Sequence, residues 1–266
     1  MDEGNSLREM FTINQSGSLI AKVRLDRESQ PQGYNFSIIA RGRKNPLFMD
    51  TAQVEVYLID VNDCIPEFIQ KSYEFSVEER DYQINEQVKI GTVKAIDCDI
   101  DEFGRVEYKI LNSNVPFRID SNGSIYAMRR IDRETISSYL IKVVAFDDPK
   151  RESEFNYRNQ QHLSEKSMAR INILVIDVND NAPEFINPPR NYDESLSKFE
   201  EFKFSYREPK GYLITKIEAF DSDTGENARL YYKLSDASVN SHLEINQITG
   251  ELTLAKSISA EKVVRS

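Results

Sequence analysis

The alternation of apolar and polar residues predicts β-strands along most of the chain. Residues 53–59 (QVEVYLI) alternate until their last two positions, and residues 169–176 (ARINILVI) do much the same further on. An apolar period of two residues is typical of a strand with one buried face. No window keeps a 3.6-residue apolar period long enough to predict a helix.

Residues 117–128 predict a β-hairpin. Two short apolar runs flank the tetrapeptide SNGS, and Asn-Gly favours the two positive φ angles of a type I′ turn. The same layout recurs at residues 11–20 and 243–254. Short strands at this density, about seven per 100 residues, are typical of antiparallel β-sandwiches with Greek-key connections.

Three motifs recur in the same order and divide the chain into repeats. The sequence DVNDCIPEF at residues 60–68 matches DVNDNAPEF at residues 177–185, with seven of nine positions identical. AIDCD at residues 95–99 matches AFDSD at residues 219–223. Asp-Arg-Glu stands nine residues after Gly17 and again after Gly123. A period of roughly 105–125 residues in a fixed order of motifs indicates an internal repeat.

The charge and the residue composition exclude several classes of binding partner. The 266 residues hold 44 Asp and Glu against 34 Lys and Arg, a net charge of -10, which argues against nucleic-acid binding because phosphate contacts need clustered basic residues. Two Cys and two His argue against a disulfide framework or a zinc site. No apolar run approaches the roughly 18 residues of a membrane span. An acidic protein that binds cations fits best.

The repeated motifs carry oxygen ligands. Two carboxylates and an amide carbonyl in D-x-N-D-x-x-P suit Ca²⁺, which accepts six to eight oxygens in irregular geometry, whereas Mg²⁺ demands an octahedron and Zn²⁺ prefers Cys or His. Tandem sandwiches can bring the Asp-Arg-Glu loop, the linker and the next Asp-x-Asp loop together. At about 6 Å and an effective dielectric of 20, each pair of carboxylates would repel by roughly 3 kcal/mol. Seven carboxylates are expected to meet in this way around residues 177–183, and cations are needed to neutralise them: Glu79, Asp132, Glu134, Asp177, Asp180, Asp221 and Asp223.

With these motifs the sequence resembles the extracellular cadherin repeat, in a protocadherin-like ectodomain. The matching stretches are DVNDNAPEF (177–185), DSDTGEN (221–227), IDRE (131–134) and AFD (145–147). The resemblance implies an all-β fold: tandem seven-stranded, immunoglobulin-like Greek-key sandwiches in a linear array. It also implies three Ca²⁺ ions at each junction between repeats.

The resemblance divides the chain into three repeats. Residues 1–63 form a repeat without its opening strands, residues 64–180 a complete repeat, and residues 181–266 a repeat without its closing strands. The chain is therefore expected to be a fragment of a longer ectodomain.

The calcium ligands implied by the family pattern fall into two groups. At the second linker (177–183) they are Glu79, Asp132, Glu134, Asp177, Asn179, Asp180, Asn181, Asp221, Asp223 and Asn227. At the first linker (60–66) they are Asp26, Glu28, Asp60, Asn62, Asp63, Asp97, Asp99 and Asp147. The first linker departs from the pattern, because Cys64 replaces Asn and Asp101 and Phe103 replace Gly and Asn. The second linker follows the pattern more closely.

The function implied by the resemblance is calcium-dependent cell–cell adhesion, with Ca²⁺ making the array of repeats rigid. No catalysis and no nucleic acid are involved. The partner is another cadherin ectodomain, in cis or in trans, with homophilic and heterophilic modes both open. The location that the resemblance implies is the extracellular side of the plasma membrane, with the membrane span of a single-pass protein expected outside this sequence. The alternative is a rigid spacer in a receptor or signalling ectodomain that binds a heterologous ligand.

Several readings compete with the metal site. Asp and Asn could simply form turns, and Asp97 with Asp99 could be the acid–base pair of a glycosidase, although no aromatic platform accompanies them. Strand alternation would turn Cys98 away from the ions, so Cys64 and Cys98 are expected to be free thiols. A disulfide between them is the alternative, which an oxidising compartment favours. Glycosylation at the sequons of Asn14, Asn35 and Asn122 stays open.

Overall fold

The computed structural model of the chain describes residues 3–148, 164–188, 202–235 and 242–258. Within these ranges nearly all regular structure is β, so the predicted all-β class is confirmed. No helix in the described ranges is long and apolar enough to cross a bilayer.

The residues ahead of the first linker form a short helix and two antiparallel hairpins. β1 pairs with β2 and β3 pairs with β4, and the ring of Phe11 packs edge-on against that of Tyr34 at 5.0 Å between centroids. The elements are α1 (Glu3–Met10), β1 (Phe11–Ile13), β2 (Leu19–Ala21), β3 (Tyr34–Arg41) and β4 (Met49–Val56).

One short helix, α1, forms although no apolar period in the sequence predicts it. It contains eight residues, about two turns, so a 3.6-residue apolar period hardly repeats within it. Arg8 lies in its last turn, where a positive charge interacts favourably with the helix dipole.

The middle part of the chain contributes two larger sheets. One has the strand order β6-β13-β12-β9 and the other β10-β11-β7, and β5 pairs with β8. Neighbours that are not consecutive in sequence agree with the predicted Greek-key connections. The elements are β5 (Glu67–Phe68), β6 (Ser72–Glu78), β7 (Val88–Thr92), β8 (Ala95–Ile96), β9 (Glu107–Ile110), β10 (Phe117–Ile119), β11 (Ser124–Ala127), β12 (Ser138–Phe146), a 3-10 turn (Glu165–Ser167) and β13 (Met168–Ile176).

The strand β13 shows why the sequence pattern predicts this fold. Ala169, Ile171, Ile173 and Val175 are buried, while the residues between them are half-buried or exposed. Side chains alternate across a strand, so these four apolar residues point to the core, while Leu174 and Ile176 lie on the exposed face although they are apolar.

The last part of the chain forms two small sheets, β14-β16 and β15-β18-β17. Its strands are β14 (Glu184–Asn187), β15 (Leu213–Lys216), β16 (Glu218–Phe220), β17 (Leu243–Ile245) and β18 (Glu251–Leu254).

The predicted hairpin at residues 117–128 forms, but its turn is not type I′. Gly123 has a φ of +75°, whereas Asn122 is not among the residues with positive φ. The Gly123 N–H donates to the Asp120 carbonyl at 3.0 Å, as in a type I turn followed by one left-handed residue. The Asp120 carboxylate organises the turn, accepting bonds from Ser124 N at 2.8 Å and from the Tyr126 hydroxyl at 3.1 Å. Although burial raises the pKa of Asp120, these donors hold it below its usual value.

The chain divides into two compact units. One comprises Met1–Phe75, Ile84–Met128 and Leu140–Asn172, and the other Ser76–Gln83, Arg129–Tyr139 and Ile173–Ser266. All the predicted ligands of the first linker lie in the first unit, and all those of the second linker lie in the second.

Candidate metal centres

Glu79 connects three segments at the second linker. It directly follows β6 and keeps only 3% of its surface exposed. One carboxylate oxygen accepts a hydrogen bond from Arg133 N and the other from Val178 N, both at 2.8 Å. The end of β6, the Asp-Arg-Glu loop and the linker therefore meet at one side chain.

Two acidic groups form around this point and share one residue. Carboxylate oxygens of Glu79, Glu134 and Asp177 lie within 4.8 Å of one another, and so do those of Glu134, Asp180 and Asp223. Each pair of like charges at that distance repels by about 3.5 kcal/mol at an effective dielectric of 20. Glu134 is therefore the side chain that the two acidic groups have in common.

The Asp-x-Asp loop has two buried carboxylates, of which Asp223 belongs to an acidic group and Asp221 does not. Asp221 and Asp223 are 7% and 5% exposed, and Asp221 accepts the bond from Asp223 N at 3.0 Å. Asn181 donates to one oxygen of Asp223 at 2.7 Å and to Asp180 at 2.9 Å. The other oxygen of Asp223 is buried without a hydrogen-bond donor. Such an atom is costly to bury unless a partner satisfies it, and a cation would do so.

Further hydrogen bonds hold the predicted side chains of this linker in place. Asp177 accepts bonds from Thr224 N at 3.1 Å and from the Asn227 amide at 2.8 Å. Although burial raises the pKa of Asp177, these donors lower it on balance. Asn179 donates to the Asn227 carbonyl at 3.4 Å. Asp132 lies outside both acidic groups and accepts a bond within its own loop, from Thr135 N at 3.1 Å.

Sequence reasoning missed the arginine at the centre of the tripeptide. Arg133 forms ion pairs with Glu134, at 2.7 Å, and with Asp177, and it donates to the Ser222 carbonyl at 3.0 Å. Arg27 has the matching position at the first linker. The signal was present in the sequence, because Asp-Arg-Glu recurs with its central residue unchanged.

The first linker also gathers carboxylates. Oxygens of Glu28, Asp63 and Asp99 lie within 4.8 Å of one another, and those of Asp97 and Asp99 belong to a second group. One oxygen of Asp97 and one of Asp99 are buried without a donor. Burial raises the pKa of both groups, and the negative charge of Asp147 adds to the effect at Asp97. A bound cation would remove that penalty.

Asp60 is held by Arg27 in the way that Asp177 is held by Arg133. Arg27 forms an ion pair with Asp60 and donates to the Cys98 carbonyl at 2.8 Å. Asp60 also accepts a bond from Ile100 N at 2.9 Å. Although burial opposes the effect, these bonds lower the pKa of Asp60.

Three predicted carboxylate ligands of the first linker, Asp26, Asp60 and Asp147, lie outside its acidic groups. Asp26 shapes its own loop, accepting a bond from the Ser29 hydroxyl at 2.8 Å. Asn62 is exposed to solvent.

Cys64 and Cys98 form a disulfide with a Cα–Cα distance of 5.8 Å, so the prediction of two free thiols is wrong. That prediction assumed that strand alternation continues through Cys98. Instead β8 ends at Ile96, and Asp97 accepts a bond from Asp99 N at 2.9 Å in a tight turn. The turn allows the cysteine and its two acidic neighbours to approach one another on one side.

The donor sets fit a hard divalent cation. They consist of carboxylates with amide side chains beside them, and no His belongs to the acidic groups of the described residues. The two sulfurs near the first linker are joined to each other and offer no thiolate. Oxygen-rich, irregular groups of this kind favour Ca²⁺ over Zn²⁺.

Comparisons with known proteins agree on one family. The family model described as cadherin domain matches residues 73–174 and 200–265. Protocadherin-11 X-linked of the pig, Sus scrofa, is 33% identical over 242 residues, covering 91% of this chain and 20% of that protein. The chain therefore spans about a fifth of the length of this curated relative.

Solved structures give the same result. The protocadherin gammaB7 EC3-6 cis-dimer structure superposes with a TM-score of 0.71 at 28% identity, over 95% of this chain and 58% of the other. Mouse cadherin-23 EC22-24 superposes with a TM-score of 0.66 at 25% identity, over 97% of this chain and 75% of the other. The expected fold of tandem repeats is confirmed.

Proposed function

The chain belongs to the cadherin family, and on that premise we propose that it is a segment of a cell-adhesion ectodomain whose linkers are made rigid by Ca²⁺. The observation that carries the proposal is the pair of acidic groups joined through Glu134 at the second linker. The buried oxygen of Asp223 that lacks a donor supports it.

The residues that would hold the ions come from four segments. Glu79 follows β6, Glu134 belongs to the Asp-Arg-Glu loop, Asp177 and Asp180 to the linker, and Asp223 to the Asp-x-Asp loop. A bound Ca²⁺ supplies positive charge that cancels their mutual repulsion. The carboxylates then hold the four segments together, and the linker loses its freedom to bend.

Adhesion rather than catalysis is the proposed activity, on the extracellular side of the plasma membrane. The proposed partner is a second cadherin ectodomain, because one solved relative is a protocadherin cis-dimer. Sedimentation of the purified chain with Ca²⁺ and with chelator tests this part. A chain that stays monomeric at high concentration in both conditions would favour the alternative of a rigid spacer.

Calcium binding is tested by calorimetry and limited proteolysis. Extracellular modules bind Ca²⁺ with Kd of about 10⁻⁴–10⁻³ M, and we expect this range, with protection from proteases between Asn179 and Pro183 when Ca²⁺ is present. Asp223→Asn should remove both effects at this linker. Glu226→Gln is the matched control, because the Glu226 side chain lies in the following loop and is 85% exposed. Absence of binding heat together with unchanged cleavage would refute the proposal.

A further inference from the structure

The two linkers solve the same structural problem with different bonds. At the second linker, Asn181 attaches the linker to the Asp-x-Asp loop through its hydrogen bond to Asp223, at 2.7 Å. At the first linker, Cys64 has the place of Asn181, and Cys98 has that of Ser222. The attachment there is a covalent disulfide.

We infer that the Cys64–Cys98 disulfide positions the carboxylates of the first linker for a divalent cation, so that reducing it weakens cation binding there and not at the second linker. The inference rests on the proposed calcium function, and it assigns a positioning role to a bond that the second linker lacks.

Both cysteines lie next to acidic residues of the cluster. Cys64 directly follows Asp63, and Cys98 stands between Asp97 and Asp99. The N–H of Cys64 donates to Asp99 at 3.3 Å. The disulfide therefore fixes two segments whose carboxylates must face one another.

The cluster needs such a restraint. The buried oxygens of Asp97 and Asp99 lack donors, and the charges of these side chains repel each other and that of Asp63. Without the disulfide, only hydrogen bonds such as those from Cys64 N to Asp99 and from Ile100 N to Asp60 oppose the repulsion that moves linker and loop apart. A disulfide prevents this movement before any cation arrives, which is the usual benefit of preorganisation.

The first linker also lacks an amide that supports the second. Asn227 donates to Asp177 at 2.8 Å, whereas Phe103 stands at the matching position of the first linker. Together with the loss of the Asn181 bond, this leaves the first linker with fewer hydrogen bonds across it. The disulfide compensates for both.

The bond is accessible to reductants, because Cys98 is exposed and Cys64 is half-buried. A dithiol supplies two electrons and two protons, the S–S bond breaks to give two thiols, and the dithiol becomes its own disulfide. If the disulfide raises cation affinity by some factor, the cation must stabilise the disulfide by the same factor, since coupling between two sites is reciprocal.

The first experiment measures cation affinity of the full chain with the second linker disabled by Asp180→Asn and Asp223→Asn. In this background we expect Cys64→Ser with Cys98→Ser to weaken Ca²⁺ binding about tenfold, within the usual range of coupling between sites. Cys64→Asn with Cys98→Ser copies the residues of the second linker and should recover part of the affinity. Equal affinity in all three proteins would overturn the inference.

The second experiment needs no variant and reads out the disulfide itself. The oxidised chain is equilibrated with dithiothreitol, with Ca²⁺ or with chelator, and the free thiols are alkylated and counted by mass. We expect Ca²⁺ to shift the equilibrium about tenfold toward the disulfide, which corresponds to about 30 mV for two electrons. If Ca²⁺ binds but the thiol–disulfide equilibrium is unchanged, the inference is refuted and the proposed function is not. If Ca²⁺ binds at neither linker, the proposed function is refuted.

Discussion

Replacing Glu134 with Gln should change stability in opposite directions with and without calcium. Glu134 faces Glu79 and Asp177 in one acidic group and Asp180 and Asp223 in the other. Each repulsion costs about 3.5 kcal/mol at 4.8 Å and an effective dielectric of 20. Without cations, the neutral amide removes these repulsions, so the variant should be the more stable protein.

The ion pair with Arg133 reduces the net gain. At 2.7 Å it offsets fewer than two of the repulsions on the same scale. Glu134 is an exposed residue, and 21% of its side-chain surface is accessible to solvent. Solvent therefore screens both the repulsions and the ion pair. We therefore expect Glu134→Gln to stabilise the calcium-free protein by about 2 kcal/mol.

With calcium the order should reverse. A ligand at 100 times its Kd stabilises the native state by about 2.7 kcal/mol, and the variant loses this gain at both groups because they share Glu134. Thermal unfolding and hydrogen exchange of residues 177–183, with Ca²⁺ and with chelator, provide the assay. Glu226→Gln should behave as wild type. A variant that is destabilised in chelator, or that keeps the full calcium-induced shift, would refute the electrostatic argument.

Three further results are expected. Gly123→Ala should destabilise the chain by about 3 kcal/mol in a denaturation assay, because Gly123 has positive φ and a Cβ would lie 2.2 Å from the Val93 carbonyl oxygen. Gly17 also has positive φ but faces open space, so Gly17→Ala should cost only about 1 kcal/mol in the same assay. Because the folded-state pKa of Asp120 is lowered, its contribution to stability is present above the unfolded pKa of about 3.9 and is lost as pH falls through the folded pKa. Asp120→Asn should therefore reduce the loss of stability at acid pH, measured by unfolding at a series of pH values. Secretion from a eukaryotic cell should add a glycan at Asn122, which is exposed at a hairpin tip, and glycosidase treatment or Asn122→Gln should remove the mass.

The sequence predicts those strands whose own pattern of apolar residues decides which side chains are buried. In β13 burial alternates along the strand, and the face that is apolar at every position is the buried one, although Leu174 and Ile176 on the other face are also apolar. The strand predicted at residues 53–59 exists, but β4 covers Met49–Val56. Its first four residues, MDTA, show no apolar alternation and form strand because β3 pairs with them. Pairing with a partner is not visible in one segment.

The sequence predicts which types of residue form the site, but not which atoms of these residues contact one another. Repeated Asp and Glu residues point to the acidic groups, because cation chemistry selects residue types, although the predicted Asp132 and Asp221 lie outside them. The bonds from backbone N–H groups to Glu79 depend on how three distant segments approach. The disulfide was missed because the end of β8 at Ile96 decides where Cys98 points.

The disulfide also changes the path of a pulling force through the chain. Tension applied to the two ends enters at Cys64, crosses 5.8 Å to the Cα of Cys98 and bypasses the residues between them. The strands from β5 to β8 all lie within this bypassed stretch. A separation of 34 residues corresponds to about 120 Å of extended chain, so the oxidised protein yields that much less length when it unfolds under load.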